Sequence, residues 1–237
     1  MSTGKVIGFP VVAVTGLARE ARIAAGPYVC AIAGGSDPQA LARALERDLA
    51  FGARAVISFG IAGGLAENLA SGTWIIGRSV VSSDGHWACD TAWASAIEER
   101  LPGAVVADLA GVEMPLMDPA AKRRLRGITG AAAVDTESHI AAALAKSFGL
   151  PFAAFRVVAD SARRRLPPVA AVALTPAGKI SRRAVFNSVA RNPAQFPALV
   201  RTAADARRAF HALSRGRRLL GPGLAYPYLG ELPFDVS

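Results

Sequence analysis

Along most of the chain, short apolar runs rich in β-branched residues alternate with alanine-rich segments of helical period. The runs VVAVTG (11–16), YVCAIAGG (28–35), ARAVISFG (53–60), TWIIGRSVVSS (73–83), AVVADLAG (104–111), AAAVD (131–135) and PFAAFRVVAD (151–160) predict strands. Between them LAREARIAA (17–25), DPQALARALERDLAFG (37–52), DTAWASAIEERL (90–101), DPAAKRRLRGI (118–128) and TESHIAAALAKSFG (136–149) predict helices. Asp37 followed by Pro38 suits a cap and a first helical residue, and Gly149 suits a stop. Residues 174–213 continue the helical pattern. Most strands are apolar throughout, so both faces of the sheet should be covered. The expected fold is a single α/β domain, 1–215, with a mixed, largely parallel central sheet flanked by helices. The turn-rich stretch 216–237 reads as an irregular C-terminal tail.

Composition narrows the class without naming a function. With 237 residues, 52% of them hydrophobic, the chain can fill a core and is too apolar for disorder. No run of 18 uncharged apolar residues occurs, which argues against a transmembrane helix. Pro10 interrupts the one N-terminal segment that could imitate a signal peptide. Cys30 and Cys89 are too few and too distant for a disulfide framework or zinc site, and three scattered histidines add no metal cluster. A cytoplasmic protein with neither metal nor organic cofactor is expected.

The charge is lopsided. Net charge is +9, and residues 163–218 hold thirteen Lys or Arg against one acid, Asp205. Such an excess attracts polyanions. Few aromatics (Phe186, Phe196, Phe210) and no recognisable motif argue against nucleic acid. Solvated helix faces and peripheral contact with an anionic (inner) membrane surface, through Arg182, Arg183, Arg207 and Arg208, remain as readings.

Three strand ends carry the candidate chemistry. SFGIAGGL (58–65) sets Gly60, Gly63 and Gly64 where a strand should turn, allowing close backbone approach to a ligand. AAAVDTESH (131–139) delivers Asp135, Glu137 and Ser138, which could equally cap a helix. PFAAFRVVADSA (151–162) embeds Arg156 in an apolar strand and ends it on Asp160. Strict alternation puts Arg156 and Asp160 on one face, about 13 Å apart, unless a bulge intervenes.

GIAGGL, VDTES and RVVAD, in that order, resemble the purine nucleoside phosphorylase and methylthioadenosine/adenosylhomocysteine nucleosidase superfamily, which shows GSAGGL, V-E-M-E and R-x-x-S-D at successive strand ends. Within it, TGLAREARIA, GIAGGLAENLASG, VDTESH and the basic C-terminal helices are similar to the hopanoid-associated phosphorylases. The resemblance implies cleavage of the N-glycosidic bond of adenosylhopane, a lipid-linked purine nucleoside, by a homo-oligomer.

On that resemblance Asp160 protonates the departing base at N7, and Glu137 holds the ribose hydroxyls. Thr136 stands where relatives carry Met, and Gly63 belongs to the glycine-rich strand end. Glu20 matches the acid that activates water in hydrolytic members. Asp90 falls in a loop near relatives' sites, and Met114 with Pro115 would border the base. For a phosphorylase, inorganic phosphate is the co-substrate, yet Ile61 replaces the serine of GSAGG, Ser58 stands at an arginine position, and Glu20 replaces another arginine. Arg19 and Arg22 are the remaining candidates to hold phosphate. A soluble-nucleoside hydrolase and a non-catalytic nucleoside- or lipid-binding protein are the other readings.

Overall fold

Strand β1 (Val11–Thr15) lies at the centre of the first layer, parallel to β2 (Val29–Ala33) on one side and β3 (Ala55–Gly64) on the other. This architecture comes from a computed structural model, which describes residues 9–169, 175 and 177–230. Beyond β3 come β4 (Trp74–Ser82), the hairpin strand β5 (Gly85–Ala88), β6 (Val105–Gly111), β7 (Ala133–Asp135) and β8 (Phe152–Asp160). The helices are α1 (Ala18–Ala24), α2 (Pro38–Phe51), α3 (Thr91–Arg100), α4 (Pro119–Thr129), α5 (Ser138–Ser147), α6 (Arg182–Arg191) and α7 (Phe196–Leu219). The sheet is mixed: β3 pairs β8 in parallel and β7 antiparallel, β4 pairs β6 in parallel and β8 antiparallel, and β6 and β7 are parallel. The pairings therefore close a ring, β3–β8–β4–β6–β7–β3, from which β1 and β2 extend as an open wing.

Alternating residues of one strand serve two separate cores, as the apolar runs require. Val11, Ala13, Ile57, Phe59, Phe155 and Val157 pack with Trp93 of α3 and Ala209, Phe210 and Leu213 of α7. Val12, Val14, Val56 and Val158 face Leu41, Leu45 and Leu49 of α2 and Ala141, Ala142 and Ala145 of α5. Asp37 caps α2, accepting from Ala40 N at 2.9 Å, with Pro38 as its first residue.

Two expectations are corrected. Gly60, Gly63 and Gly64 lie inside β3 rather than in a turn after it. Glycine is needed at position 60 for another reason: a Cβ there would come within 2.7 Å of the Glu20 carboxylate and 2.9 Å of the Arg156 guanidinium. The glycine gives room for a charged cluster. Over 216–230 the tail is also less irregular than its glycines and prolines imply, and 231–237 lie outside the described residues. α7 runs to Leu219, and Leu220, Leu224, Ala225 and Tyr226 are buried in the α3/α7 core. Trp93 Nε1 donates to the Leu224 carbonyl at 2.8 Å, which fixes this segment to α3. Among the described residues no helix is long and apolar enough to cross a membrane.

Candidate active site

The C-terminal ends of β1, β3, β7 and β8 converge on a cavity of about 440 Å³. Five of the candidate site residues, Glu20, Gly63, Thr136, Glu137 and Asp160, line it. Open α/β sheets bind ligands at such strand ends, where backbone groups and loop side chains are free to face outward.

Glu20 enters from the first turn of α1. As the third helical residue it reaches back to its own helix start, its Oε2 accepting from Gly16 N at 2.9 Å and Leu17 N at 2.6 Å. Its Oε1 accepts from Ile61 N of β3 at 2.7 Å. Oε2 is thereby filled, while Oε1 keeps one acceptor direction. Only 1% of Glu20 is exposed. Burial pushes its pKa up to about 7, against the lowering pull of Arg156.

Arg156 organises the other acids. It is fully buried on β8 and pairs with Asp135 at 3.0 Å and Glu137 at 3.3 Å. It also donates to the Ser58 hydroxyl, which meets the Ser138 hydroxyl at 2.8 Å. The cap position of α5 is Glu137 rather than Asp135, which lies two residues earlier and ties down the helix start: its carboxylate accepts from Glu137 N, Ser138 N and Ser138 Oγ at 2.9, 2.7 and 2.6 Å. Thr136 donates its hydroxyl to Glu137. Burial raises the Glu137 pKa, Arg156 opposes that rise, and Asp135 adds to it. Gly16 lies against this carboxylate, since a Cβ there would stand 2.7 Å from Oε1. One guanidinium thus holds together a cluster of buried carboxylates. Arg156→Met should lower stability by about 3–5 kcal/mol in denaturant unfolding, because the carboxylates would be left without their cation.

Asp160 sits apart from that cluster. Gly60 pairs with Arg156 but Gly63 with Asp160, so β8 takes one more step than β3 across this interval. A bulge at Ala159 therefore turns Asp160 to the opposite face from Arg156, replacing the shared face that strict alternation predicts. There Asp160 pairs with Lys122 of α4, whose ammonium also donates to the Ser161 carbonyl at 3.1 Å. Lys122 is 1% exposed. Burial raises the Asp160 pKa, while Lys122 pulls it down. Sequence reading missed Lys122, because AKRRLRG resembles a solvated basic face. The usable signal was Leu125, three residues on and therefore on the same side of the helix.

The remaining candidates lie elsewhere. Asp90 caps α3, accepting from Trp93 N at 2.8 Å, and its backbone N–H donates to Phe152, at the start of β8. That is the opposite end of the sheet from Asp160. Met114 is 68% exposed and outside the cavity, whereas Pro115 and Leu116 line it. Arg19 and Arg22 are exposed on α1: the Arg19 guanidinium stacks 4.1 Å from the Phe210 ring, and Arg22 Nε donates to Ala18 O. Neither lines the cavity, so this geometry gives phosphate no arginine clamp from α1. Among the described residues no cluster of His, Cys, Asp or Glu could hold a metal ion.

Beyond the charged groups and Thr136 and Thr202 the cavity wall is apolar. Val169, Val185, Leu199, Ala203, Ala206 and Phe210, mostly from α6 and α7, form that side.

The profile of the Phosphorylase superfamily matches residues 9–196. The chain belongs to the Phosphorylase superfamily. It is accordingly an enzyme of the nucleoside phosphorylase and N-glycosidic hydrolase type. Solved structures share its fold at low identity. Futalosine hydrolase of Helicobacter pylori is 13% identical over 91% of this chain and 98% of its own, with a TM-score of 0.65. The 5′-methylthioadenosine/S-adenosyl homocysteine nucleosidase of H. pylori is 12% identical over 89% and 97%, with a TM-score of 0.62. The S-adenosylhomocysteine nucleosidase of Streptococcus pyogenes is 15% identical over 94% and 100%, with a TM-score of 0.61. No curated protein matches the chain.

Proposed function

We propose that the protein hydrolyses the N-glycosidic bond of an adenine nucleoside carrying a large apolar 5′ group, as in adenosylhopane. The observation that carries hydrolysis is the occupancy of the backbone donors around α1. Gly16 N, Leu17 N and Ile61 N could together receive an anion, yet all three already serve Glu20. A phosphate dianion arriving there would meet buried carboxylates and lack the charge-assisted donors it needs. Water faces no such repulsion, and the spare acceptor on Glu20 Oε1 suits it.

The reaction then divides between two sides of the cavity. A water oxygen attacks C1′ of the ribose while Glu20 takes its proton. The electrons of the C1′–N9 bond pass to adenine, and Asp160 gives its proton to N7. Glu137 accepts hydrogen bonds from the ribose hydroxyls, and its charge favours the cationic sugar of the transition state. Burial raises the Asp160 pKa, the direction a general acid requires, while the ion pair with Lys122 opposes that rise. Lys122 acts through Asp160, holding the side chain and limiting the rise of its pKa.

Lys122→Met should therefore move the alkaline limb of the kcat/KM profile upward, because the cation that lowers the Asp160 pKa is gone. A limb that stays in place would make Lys122 merely structural.

The apolar α6/α7 wall supports the lipid-linked substrate. Each methylene buried there favours binding by about 0.8 kcal/mol. The nucleoside with a triterpenoid 5′ group should show kcat/KM at least roughly 100-fold above methylthioadenosine. Equal values would contradict the assignment of this wall to the 5′ group.

A further inference from the structure

Helices α6 and α7, which wall the cavity with Val185, Leu199 and Ala203, carry outward-facing groups that the reaction does not use. Phe186 is 73% exposed, Phe196 56% and Val200 51%, and Ile180 at the cavity edge is 57% exposed. Large apolar side chains held in water on consecutive helices are candidates for a contact surface. On α7, Phe196, Val200 and Arg207 fall in one stripe at helical spacing, so a cation shares the helix face of the apolar residues. Arg183 is exposed one turn before Phe186 on α6.

The cations of this region have little acid to answer them. Asp205, the one acid of residues 163–218, is buried and already holds Arg164 at 2.9 Å and Arg208 at 2.8 Å. Arg163 pairs with Glu67 and Arg165 with Asp118. Among the described residues, Arg183, Arg191, Arg201 and Arg207 have no carboxylate within ion-pair distance. The side chain of Arg182 lies outside the described residues.

We propose that α6 and the first half of α7 dock on an anionic lipid bilayer, with Phe186, Phe196 and Val200 in the interfacial region and Arg183 and Arg207 on lipid phosphates. Aromatic residues beside arginines on short amphipathic helices are what such a surface binds. Nucleic acid would use the arginines but leave the exposed apolar residues in water. An uncharged protein groove would cover the apolar residues and leave the arginines unanswered. Docked in this way, the cavity's apolar wall would lie beside the bilayer. The inference goes beyond the proposed reaction and does not depend on it, because binding is read without substrate.

The test is co-sedimentation of the full chain with phosphatidylcholine vesicles, with and without phosphatidylglycerol. The wild type should bind only the anionic vesicles, and added salt should weaken binding. Arg183→Glu/Arg207→Glu and Phe186→Ser/Phe196→Ser should each weaken it by roughly tenfold or more. Circular dichroism and denaturant unfolding verify that both variants are folded. Absence of wild-type binding to anionic vesicles, or binding that neither pair of substitutions reduces, would overturn the proposal. So would substitutions that leave vesicle binding intact but change the oligomeric state, which would make the face an interface between copies of the chain.

Discussion

Asp160→Asn should leave a folded protein that binds nucleoside but releases adenine about 10²–10⁴-fold more slowly. Asparagine keeps the size of the side chain and can still donate a hydrogen bond toward N7, so binding of the base should survive. It has no acidic proton to transfer, and the base would have to leave as an anion. The substitution also separates an enzyme from a nucleoside-binding protein, since a binder has no need of that proton. The check is single-turnover adenine release beside a binding isotherm for the same nucleoside. An unchanged rate would remove Asp160 from the chemistry.

Glu20→Gln should lower kcat by a similar factor, about 10²–10⁴, with a distinct pH signature. Burial raises the Glu20 pKa to about 7, so the folded protein holds this proton to higher pH than an exposed glutamate would. A base works only when ionised. Wild-type kcat/KM should therefore fall as pH drops through about 7, and this acid limb should be missing from the residual activity of Glu20→Gln. The variant also loses part of an acceptor for three backbone N–H groups, which should cost about 1–3 kcal/mol. Denaturant unfolding measures that cost separately, so rates can be referred to folded protein. If the acid limb persists in Glu20→Gln, another group is the base.

The sequence made strand ends readable because each is a local pattern: an apolar run followed at once by a carboxylate. Asp160 and Glu137 emerge from that pattern, and both line the cavity. What a local pattern lacks is the partner. Arg156 stood out as a cation in an apolar strand, but its hold on Asp135 and Glu137 depends on β7 and β8 flanking the same strand, β3. Lys122 was hidden for the opposite reason, since a buried lysine among arginines looks the same in sequence as an exposed one. The bulge at Ala159 has no glycine or proline to announce it, yet it decides which face Asp160 presents. Gly60 looked like a turn residue because glycine serves both turns and close approach, and only the Glu20 carboxylate beside it separates the two uses. Asp90 and Met114 came from loop positions carried over from relatives, and loops are where such correspondence fails first.

The measurement that bears most directly on hydrolysis is the fate of the sugar in turnovers run with and without inorganic phosphate. The occupied donors around Glu20 predict a free reducing sugar and the same rate of adenine release in both. A sugar 1-phosphate, with release that stops when phosphate is withheld, would contradict the account and require an anion site other than the one Glu20 fills.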